Sequence, residues 1–361
     1  MAWTRNVLRV NLTDGSITHE PLNMQWANDY LGQRGLATKY LSEEIDPKCD
    51  ALSPENKMIM TTGPLTGTMA STAGRYSVVT KSPLTGAIAC SNSGGYIGNE
   101  MKNAGWDMVI FEGKSPSPVY LYIENDKAEL LSAEELWGKS AWATDELLHS
   151  MHQDPLLRVA VVGRAAEKGC LFSAIVNDLH RAAGRSGVGT VMASKNLKAV
   201  AIRGTLGVGS INDPVKFFKA TEDGKKVLAE NAVTGEGLPA LGTQVLMNII
   251  NEVGALPTRN HQEVQFEGAS KISGEAMLEI REGDGKANLT TNGACFGCTI
   301  ACQRISTVDK NHFSVKDKPE YQGNSGGLEF ENAWSLGTDC GIDDLDAVTF
   351  ANFLCNEDAV D

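Results

Sequence analysis

The sequence lacks the features that define several large classes of protein. No apolar run approaches the roughly 18 residues needed to cross a membrane, and residues 1–6 lack the apolar core of a signal peptide. Basic residues are outnumbered by acidic ones, 32 to 45, which gives a net charge of −13 without long blocks of one sign. This balance favours solubility and argues against a nucleic-acid partner. We therefore expect a cytoplasmic protein with no membrane span.

Common ligand-binding signatures are also missing. Neither a Gly-x-Gly-x-x-Gly turn after a strand nor a Walker loop occurs, so dinucleotides and ATP are not supported as ligands. The 8 cysteines in 361 residues are too few for a disulfide framework. In a reducing compartment, a tight group of thiols is expected to bind metal.

Such a group is present at residues 293–302. Cys295, Cys298 and Cys302 follow the spacing Cys-x-x-Cys-x-x-x-Cys, and the adjacent Gly293 and Gly297 allow backbone amides to approach the sulfurs. Thiolates this close together need positive charge between them, so the pattern predicts a metal ion or an iron–sulfur cluster.

Three kinds of metal site compete for this triplet. Structural zinc usually needs a second ligand pair, and a second Cys-x-x-Cys or a His-x-x-x-His is absent, which leaves zinc as the lesser alternative. Radical enzymes that use S-adenosylmethionine carry the reverse spacing, near the start of a barrel. A [4Fe–4S] cluster with three clustered ligands and one remote cysteine fits best. Downstream of the triplet, this sequence offers Cys340 and Cys355.

Two loop-rich stretches in the first 205 residues suit an anionic ligand. Residues 63–98 alternate short strands with Gly, Ser, Thr and Asn, which present backbone N–H groups and hydroxyls. Arg75 adds a planar fork for phosphate. Residues 178–189 combine Arg181 and Arg185 with three glycines. Taken alone, the first stretch is explained equally well by a β-rich domain with many turns and one surface arginine.

The pattern also predicts local elements and a domain boundary. Residues 6–20 read as a β-hairpin with its turn at Asp14-Gly15. Ser132 and Glu135 form a capping box that predicts the start of a helix. The composition becomes mainly helical after residues 205–210, so we expect a β-rich domain at 1–208 and a mainly helical one at 209–361. The stop at Asp361 suggests a chain truncated at its C-terminus.

Together, five motifs resemble the aldehyde:ferredoxin oxidoreductase family, the tungsten- or molybdenum-dependent bis-pterin enzymes. They occur in the family's order from the hairpin to the end of the chain, and five motifs are far more specific than one. The motifs are Gly74-Arg75-Tyr76, residues 82–86 (Ser-Pro-Leu-Thr-Gly), residues 91–95 (Ser-Asn-Ser-Gly-Gly), residues 178–185 (Asp-Leu-His-Arg-Ala-Ala-Gly-Arg) and the thiol triplet.

The resemblance implies an α+β fold, in which a β-sheet-rich pterin-binding domain precedes mainly α-helical domains. It implies a tungsten or molybdenum ion held by two pterins, with room for a Mg²⁺ bridging their phosphates. The enzyme would oxidise an aldehyde to a carboxylic acid and pass electrons through a [4Fe–4S] cluster. The acceptor would be ferredoxin or a ferredoxin-like iron–sulfur subunit, with a flavin subunit as an option, in an oligomeric assembly.

The resemblance also assigns residues. The three thiols would ligate the cluster, whose fourth ligand would lie beyond Asp361, so that Cys340 and Cys355 are not expected to be ligands. The family's pterin-binding Asp-x-x-Gly-Leu-Asp occurs here as residues 356–361, in which Asp361 matches and Asn356 departs from the pattern. The expected pterin contacts are Arg75, Asn92, Gly94, Arg181, Ala182, Ala183 and Asp361.

A catalytic carboxylate is implied by the context of residues 328–337. The family places a Glu near the metal in a Glu-aromatic-Glu segment, which matches Glu329-Phe330-Glu331 here. We assign acid/base catalysis to Glu331, with Glu329 second. The similar segment around Glu320 and a purely surface role for Glu331 are the alternatives. An electron-transfer subunit holding one cluster, without its own catalytic centre, is the alternative function.

Overall fold

The computed structural model describes residues 2–209 and 211–361. Within them, the chain forms two compact units. Unit 1 comprises residues 1–221, 295–298 and 356–361, and unit 2 comprises residues 222–294 and 299–355. No helix among the described residues is long and apolar enough to cross a membrane. The division predicted after residue 208 stays a prediction, and Ser210, in the predicted boundary segment, lies outside the described residues.

The elements are numbered in chain order. The strands are β1 (Asn6–Asn11), β2 (Ile17–Pro21), β3 (Met58–Thr62), β4 (Tyr76–Lys81), β5 (Ile88–Ser93), β6 (Met108–Glu112), β7 (Val119–Glu124), β8 (Lys127–Ser132), β9 (Arg158–Val161), β10 (Ile175–Asn177), β11 (Arg181–Ala183), β12 (Leu197–Arg203), β13 (Leu289–Gly293), β14 (Gln303–Ser306) and β15 (Ser325–Gly326). The α-helices are α1 (Met24–Tyr30), α2 (Gln33–Glu44), α3 (Ile97–Asn103), α4 (Ala141–His152), α5 (Arg164–Glu167), α6 (Val188–Ser194), α7 (Pro214–Glu230), α8 (Leu238–Leu241), α9 (Leu246–Glu252), α10 (Phe330–Leu336) and α11 (Leu345–Asp358). Short 3₁₀ or π turns span Arg185–Gly187, Ala232–Gly237, Gly242–Val245, Ala269–Ile272, Ala276–Leu278, Pro319–Tyr321 and Thr338–Cys340.

Within the described residues, unit 1 contains two six-stranded sheets with the same topology. The first sheet has the order β2-β1-β6-β3-β4-β5, and the second, in the matching direction, β8-β7-β12-β9-β10-β11. In each sheet one neighbouring pair is parallel, β1 with β6 and β7 with β12, and the others are antiparallel. We call residues 6–113 the first copy and residues 119–204 the second copy.

The two copies also share strand register. Met108 and Ala199 occupy the same place in the two ladders, each between a parallel neighbour and an antiparallel one. The equivalent pairs are Val7–Met108 with Tyr120–Ala199, and Thr61–Met108 with Val161–Ala199. Because a slip of one residue would turn every side chain to the opposite face, shared register means a shared core pattern.

Small residues keep the helices close to the strands in both copies. A Cβ at Gly98 of α3 would lie 3.2 Å from the carbonyl oxygen of Arg75, and one at Gly189 of α6 would lie 2.2 Å from that of Ala174. Each carbonyl belongs to the residue directly before an equivalent strand, β4 or β10. A close helix approach at this point therefore positions the loop that precedes the strand.

The core of unit 1 is layered, which explains why its central strands are almost entirely apolar. One hydrophobic cluster fills the space between the two sheets, including Val78, Phe111, Leu121 and Val200 with side chains of α3 and α6. A second cluster packs α2 on the outer face of the first sheet, and a third packs α4 on the outer face of the second. Strands covered on both faces read as continuous hydrophobic runs. This packing gives the loops at the strand ends a rigid base.

Unit 2 is less regular. β13, β14 and β15 form an antiparallel sheet, and a cluster including Met247, Phe266, Leu328 and Val348 forms its core. The β-rich first part followed by helical sequence confirms the expected α+β class.

The local predictions had mixed outcomes. The hairpin at residues 6–20 is confirmed, since β1 and β2 pair around a turn in which Gly15 has φ +74°. The helix predicted at Ser132 is wrong. Ser132 ends β8, its Oγ accepts a hydrogen bond from Glu134 N–H, and the next helix, α4, starts after Ser140. Ser132 therefore caps a turn, and Ala133 and Leu136 in the segment that follows are buried in the core.

Candidate functional site

The first loop cluster lies where β4 begins and β5 ends. Arg75 Nη1 donates to Asn92 Oδ1 at 2.6 Å, and Asn92 Nδ2 donates to the Tyr76 carbonyl at 3.0 Å. The carbonyl of Arg75 accepts from Gln33 Nε2 at 2.8 Å and from Thr66 Oγ1 at 3.1 Å. The Arg75 side chain is exposed, so its remaining N–H groups are accessible to a ligand. Arg75 and Asn92, both predicted site residues, are thus in direct contact.

Residues 295–298 pack onto this cluster within unit 1. Gly95 N–H donates to Cys295 Sγ at 3.2 Å, and Phe296 N–H donates back to the Gly95 carbonyl at 3.2 Å. A Cβ at Gly94 would lie 2.6 Å from Cys295 Sγ, and one at Gly74 would lie 3.0 Å from the Phe296 carbonyl oxygen. Because Gly74 and Gly94 have no side chains, Cys295 and Phe296 can pack directly against the backbone of these two motifs.

The other two thiols differ in their surroundings. Cys298 N–H donates to the Cys295 carbonyl at 3.1 Å across Gly297, whose φ is +66°, so both thiols of the Cys-x-x-Cys lie on one tight turn. In unit 2, Arg304 Nε donates to the carbonyl of Cys302 at 3.1 Å. Among residues 2–209 and 211–361, no three His, Cys, Asp or Glu side chains form a ready-made metal site. The ligand set of three thiols stays a prediction.

The second loop cluster follows β10. Arg181 begins β11, where Ala182 is exposed and Ala183 is buried. The Nε and Nη2 atoms of Arg181 are buried, and neither has a hydrogen-bond partner among the described residues. Burial of such donors costs roughly 1–3 kcal/mol each unless a ligand accepts from them. Burial also lowers the pKa of the adjacent His180, which favours its neutral form.

Asp361 is brought to this second cluster by a short backbone pairing. Its N–H donates to the Phe172 carbonyl at 3.1 Å, which places the carboxylate 3.6 Å from Arg185 Nε. Asp361 Oδ1 lies 3.4 Å from the position of a Cβ at Gly184. Burial raises the pKa of Asp361, while Arg185 opposes the shift.

The predicted catalytic carboxylates lie in unit 2. Glu331 is in the first turn of α10, and its side chain is exposed. Glu329 precedes the helix, is half-buried, and accepts a hydrogen bond from Thr243 Oγ1 at 2.5 Å. Thr243 Oγ1 also accepts from Phe330 N–H at 2.9 Å. The acid/base role of Glu331 stays a prediction.

The donors of both clusters fit the groups that the sequence predicted. Unpartnered Arg181 atoms and the exposed Arg75 fork suit the phosphate and polar edges of a pterin. The Cys295 thiol, with an amide aimed at its sulfur and no side chain at Gly94, suits a thiolate ligand of an iron–sulfur cluster.

Sequence reasoning missed the supporting roles of Asn177 and Asp178, although Asp178 begins one of the motifs. Asn177 Nδ2 donates to the Gly94 carbonyl at 3.0 Å, and Asp178 Oδ2 accepts from Tyr96 N–H at 2.8 Å. A signal was present, because an Asn-Asp pair at the end of a strand favours a left-handed turn, and Asp178 has φ +49°. Nothing in the pattern said which loop they would hold.

Comparisons with known families and proteins identify relatives of this chain. Residues 7–204 match the model of the aldehyde ferredoxin oxidoreductase N-terminal domain, and residues 219–361 match that of domains 2 and 3 of the same family. The tungsten-containing aldehyde ferredoxin oxidoreductase of Pyrococcus abyssi is 46% identical over 98% of this chain and 55% of its own length. The protein of the same name from Thermococcus kodakarensis is 45% identical over 99% of this chain and 56% of its own. The chain thus spans about half the length of these curated relatives.

More distant similarity extends to proteins with other names. The WOR-like subunit of an aliphatic sulfonate oxidoreductase from Pyrococcus furiosus is 28% identical over 100% of this chain and 57% of its own length. Among solved structures, the active site complex BamBC of benzoyl coenzyme A reductase, bound to 1,5-dienoyl-CoA, is similar with a TM-score of 0.84 and 28% identity. That match covers 100% of this chain and 53% of the other.

Proposed function

This chain belongs to the aldehyde ferredoxin oxidoreductase family, and from that premise we propose that it acts in a tungsten-pterin oxidoreductase that converts aldehydes to carboxylic acids. Electrons would leave through a [4Fe–4S] cluster ligated by Cys295, Cys298 and Cys302. Their acceptor would be ferredoxin or an iron–sulfur partner subunit. Support comes from the relatives at 43–46% identity that carry this activity in their names.

The observation that carries the proposal is a pair of buried guanidinium nitrogens, Nε and Nη2, on the half-buried Arg181 after β10, which have no partner among the described residues. Buried donors without partners destabilise a protein, so we infer that a bound ligand accepts hydrogen bonds from them. A phosphorylated pterin offers the required anionic oxygens. Arg75 with Asn92 in the first copy, and Arg181 with residues 182–183 in the second, would each face one pterin.

The reaction fixes what the chain's own residues must do. Converting an aldehyde to an acid consumes one water and releases two protons and two electrons. The tungsten-pterin supplies the two-electron acceptor. Glu331, with Glu329 as the second candidate, would take a proton as water adds to the aldehyde carbon. Gly94 and Gly95 would bring backbone close to the cofactor, and the Cys295 thiolate would carry electrons outward.

Further parts of the proposal concern the whole assembly. Asp361 would contact the second pterin, and a Mg²⁺ ion would bridge the pterin phosphates. We also propose a cytoplasmic, oligomeric enzyme, with a flavin subunit as an optional partner, and a domain division after residue 208. Relatives with other names are only 28% identical, whereas the relatives named as aldehyde ferredoxin oxidoreductases are 43–46% identical. This difference favours an aldehyde over the other substrates.

Elemental analysis of the anaerobically purified, full-length protein tests the proposal. We expect tungsten or molybdenum, iron and acid-labile sulfide, a fluorescent pterin after oxidation, and reduction of a viologen dye with aldehydes. Absence of both tungsten and molybdenum would end the proposal. Iron and sulfide without pterin would instead support an electron-transfer subunit.

A further inference from the structure

We propose that Asn177 and Asp178 are positioning residues that hold the Gly95 amide against Cys295 Sγ and thereby set the reduction potential of the cluster. This inference rests on the proposed function in one respect, that Cys295 ligates an iron–sulfur cluster. Neither residue would touch the cluster. Both would act through the loop at Gly94 and Gly95.

Asn177 is the centre of the support. It is only 1% exposed, and all of its side-chain polar atoms are used. Its Nδ2 donates to the Gly94 carbonyl at 3.0 Å, while its Oδ1 accepts from Ser93 Oγ at 2.7 Å and from Tyr76 hydroxyl at 3.1 Å. A side chain from the second copy therefore fixes the last residue of β5 and the loop residue that follows it in the first copy.

Asp178 continues the support by one residue. Its Oδ2 accepts from Tyr96 N–H at 2.8 Å and from Asn177 Nδ2 at 2.8 Å. Asp178 and Leu179 both have positive φ, +49° and +61°, which turns the carboxylate back towards the loop. Arg158 lies 3.6 Å from the other carboxylate oxygen and stacks on the Tyr96 ring at 4.6 Å.

The loop is consequently held from both sides. Asn177 and Asp178 bind it on one side, and on the other Gly95 exchanges hydrogen bonds with Cys295 and Phe296. Gly95 has φ +87°, and a Cβ there would overlap Asp178 Oδ2. These contacts therefore fix the orientation of the Gly95 N–H group, which points at Cys295 Sγ.

An amide that donates to a ligating sulfur stabilises the reduced cluster, which carries one more negative charge. Hydrogen bonds to the sulfurs are among the main determinants of iron–sulfur potentials, and partners that orient such groups tune the metal centre from outside the ligand set. If the loop is loosened, the hydrogen bond from Gly95 N–H to Cys295 Sγ weakens and the reduction potential of the cluster becomes more negative. A residue with a purely structural role would change stability without this shift.

The test compares two buried asparagines in the full-length, cofactor-loaded protein. In Asn177→Ala, the loop loses its support without any change of charge. Asn56→Ala is the matched control, because Asn56 is 0% exposed and donates to the Ala51 carbonyl and to Thr80 Oγ1. Asn56 contacts the opposite end of β4 from Tyr76, roughly 15 Å along the strand. Iron and sulfide content, unfolding temperature, and the midpoint potential from redox titration followed by electron paramagnetic resonance are measured for each.

We expect Asn177→Ala to shift the midpoint to a more negative potential and to weaken the exchangeable-proton coupling seen by electron–nuclear double resonance. Asn56→Ala should lower the unfolding temperature and leave both readouts at the wild-type values. An unchanged midpoint in cluster-loaded Asn177→Ala would overturn the inference, as would an equal shift in Asn56→Ala.

A milder variant keeps the test decisive if Asn177→Ala cannot retain its cluster. The double substitution Ser93→Ala with Tyr76→Phe removes only the two hydroxyls that donate to Asn177 Oδ1. A shift in the same direction supports the inference, and a midpoint equal to that of the wild type overturns it. A wild-type protein without iron would instead contradict the proposed function, so the two failures are distinguishable.

Discussion

The two copies in unit 1 share one scaffold but present different chemistry at equivalent glycines. Gly94 directly follows β5, and Gly184 directly follows β11. A thiol, Cys295 Sγ, lies 2.6 Å from the Cβ position of the first, and a carboxylate oxygen of Asp361 lies 3.4 Å from that of the second. The same loop position therefore lies against a thiol in the first copy and against a carboxylate in the second.

The loops of the two copies also differ in how far their polar groups are satisfied. Arg75 is bonded to Asn92 in the first copy, whereas Arg181 keeps two buried donors without partners among the described residues of the second. The first copy is thus already organised around the Cys295 turn. The shared strand topology gives both copies the same frame, and the loops differ in the polar groups that they present.

The largest expected effect comes from matched substitutions at the two glycines. Gly94→Ala puts a methyl group into Cys295 Sγ, so we expect most of the cluster iron to be lost. Gly184→Ala meets ordinary van der Waals contact and should retain its cofactors, with stability changed by about 1 kcal/mol or less. Iron, tungsten and pterin per chain are the measurements. Equal losses in both variants would contradict the difference between the copies.

Breaking the buried ion pairs at equivalent positions should have the next largest effect. Asp107 pairs with Lys102 in the first copy, and Lys198, at the equivalent position, pairs with Glu167 at 2.5 Å in the second. Either Asp107→Asn or Lys198→Met leaves a buried charge unpaired, so we expect the unfolding free energy to fall by about 3–5 kcal/mol. Denaturant titration measures it.

The control for this prediction removes both charges of one pair. Lys198→Met combined with Glu167→Leu should recover much of the loss, because well-packed apolar side chains often replace a buried ion pair at little cost. A double variant as unstable as the single one would show that shape, and not the unpaired charge, caused the effect.

Arg181→Ala should give opposite results with and without cofactor. The variant loses charge-assisted hydrogen bonds worth about 1.5–3 kcal/mol, equivalent to roughly 10- to 100-fold in pterin affinity. The apo-protein should become more stable by about 1 kcal/mol, since two buried donors are removed. Thermal unfolding of both forms checks this. Lys127→Ala, an exposed change in β8, is the control, and a destabilised Arg181→Ala apo-protein would contradict the prediction.

The smallest expected effect is a pH dependence that arises from a buried carboxylate in the second copy. Burial raises the pKa of Asp145 in α4 to about 6, against attraction from His149. The raised value favours the protonated native form, so the contribution to stability is complete below about pH 3.8 and is lost as pH rises through about 6. Asp145→Asn should not show this loss. The difference in unfolding free energy between variant and wild type should grow between pH 4 and 7, by about 1 kcal/mol after solvent screening.

The chemistry-bearing loops could be predicted from the sequence, whereas the frame that positions them could not. Arg75 and the Cys-x-x-Cys turn stood out because residue types close together in sequence suggest their chemistry, and Asn92 was assigned through the family resemblance. Their roles stay predictions. The repeated topology could not be recognised in the sequence, because strand register depends on backbone pairing. The two copies also share few identical residues at equivalent positions, of which Gly98 and Gly189 are one example. The roles of Asn177 and Asp178 likewise depend on contacts between residues more than 80 positions apart.

The contact between Gly95 and Cys295 has a consequence for the order in which the chain is synthesised. Gly95 and Cys295 are separated by 200 positions along the chain. At about 5–20 residues per second, the glycine loop leaves the ribosome roughly 10–40 seconds before its thiol partner. The thiol that we propose as a cluster ligand therefore reaches its glycine loop only after the strands around that loop have had time to fold.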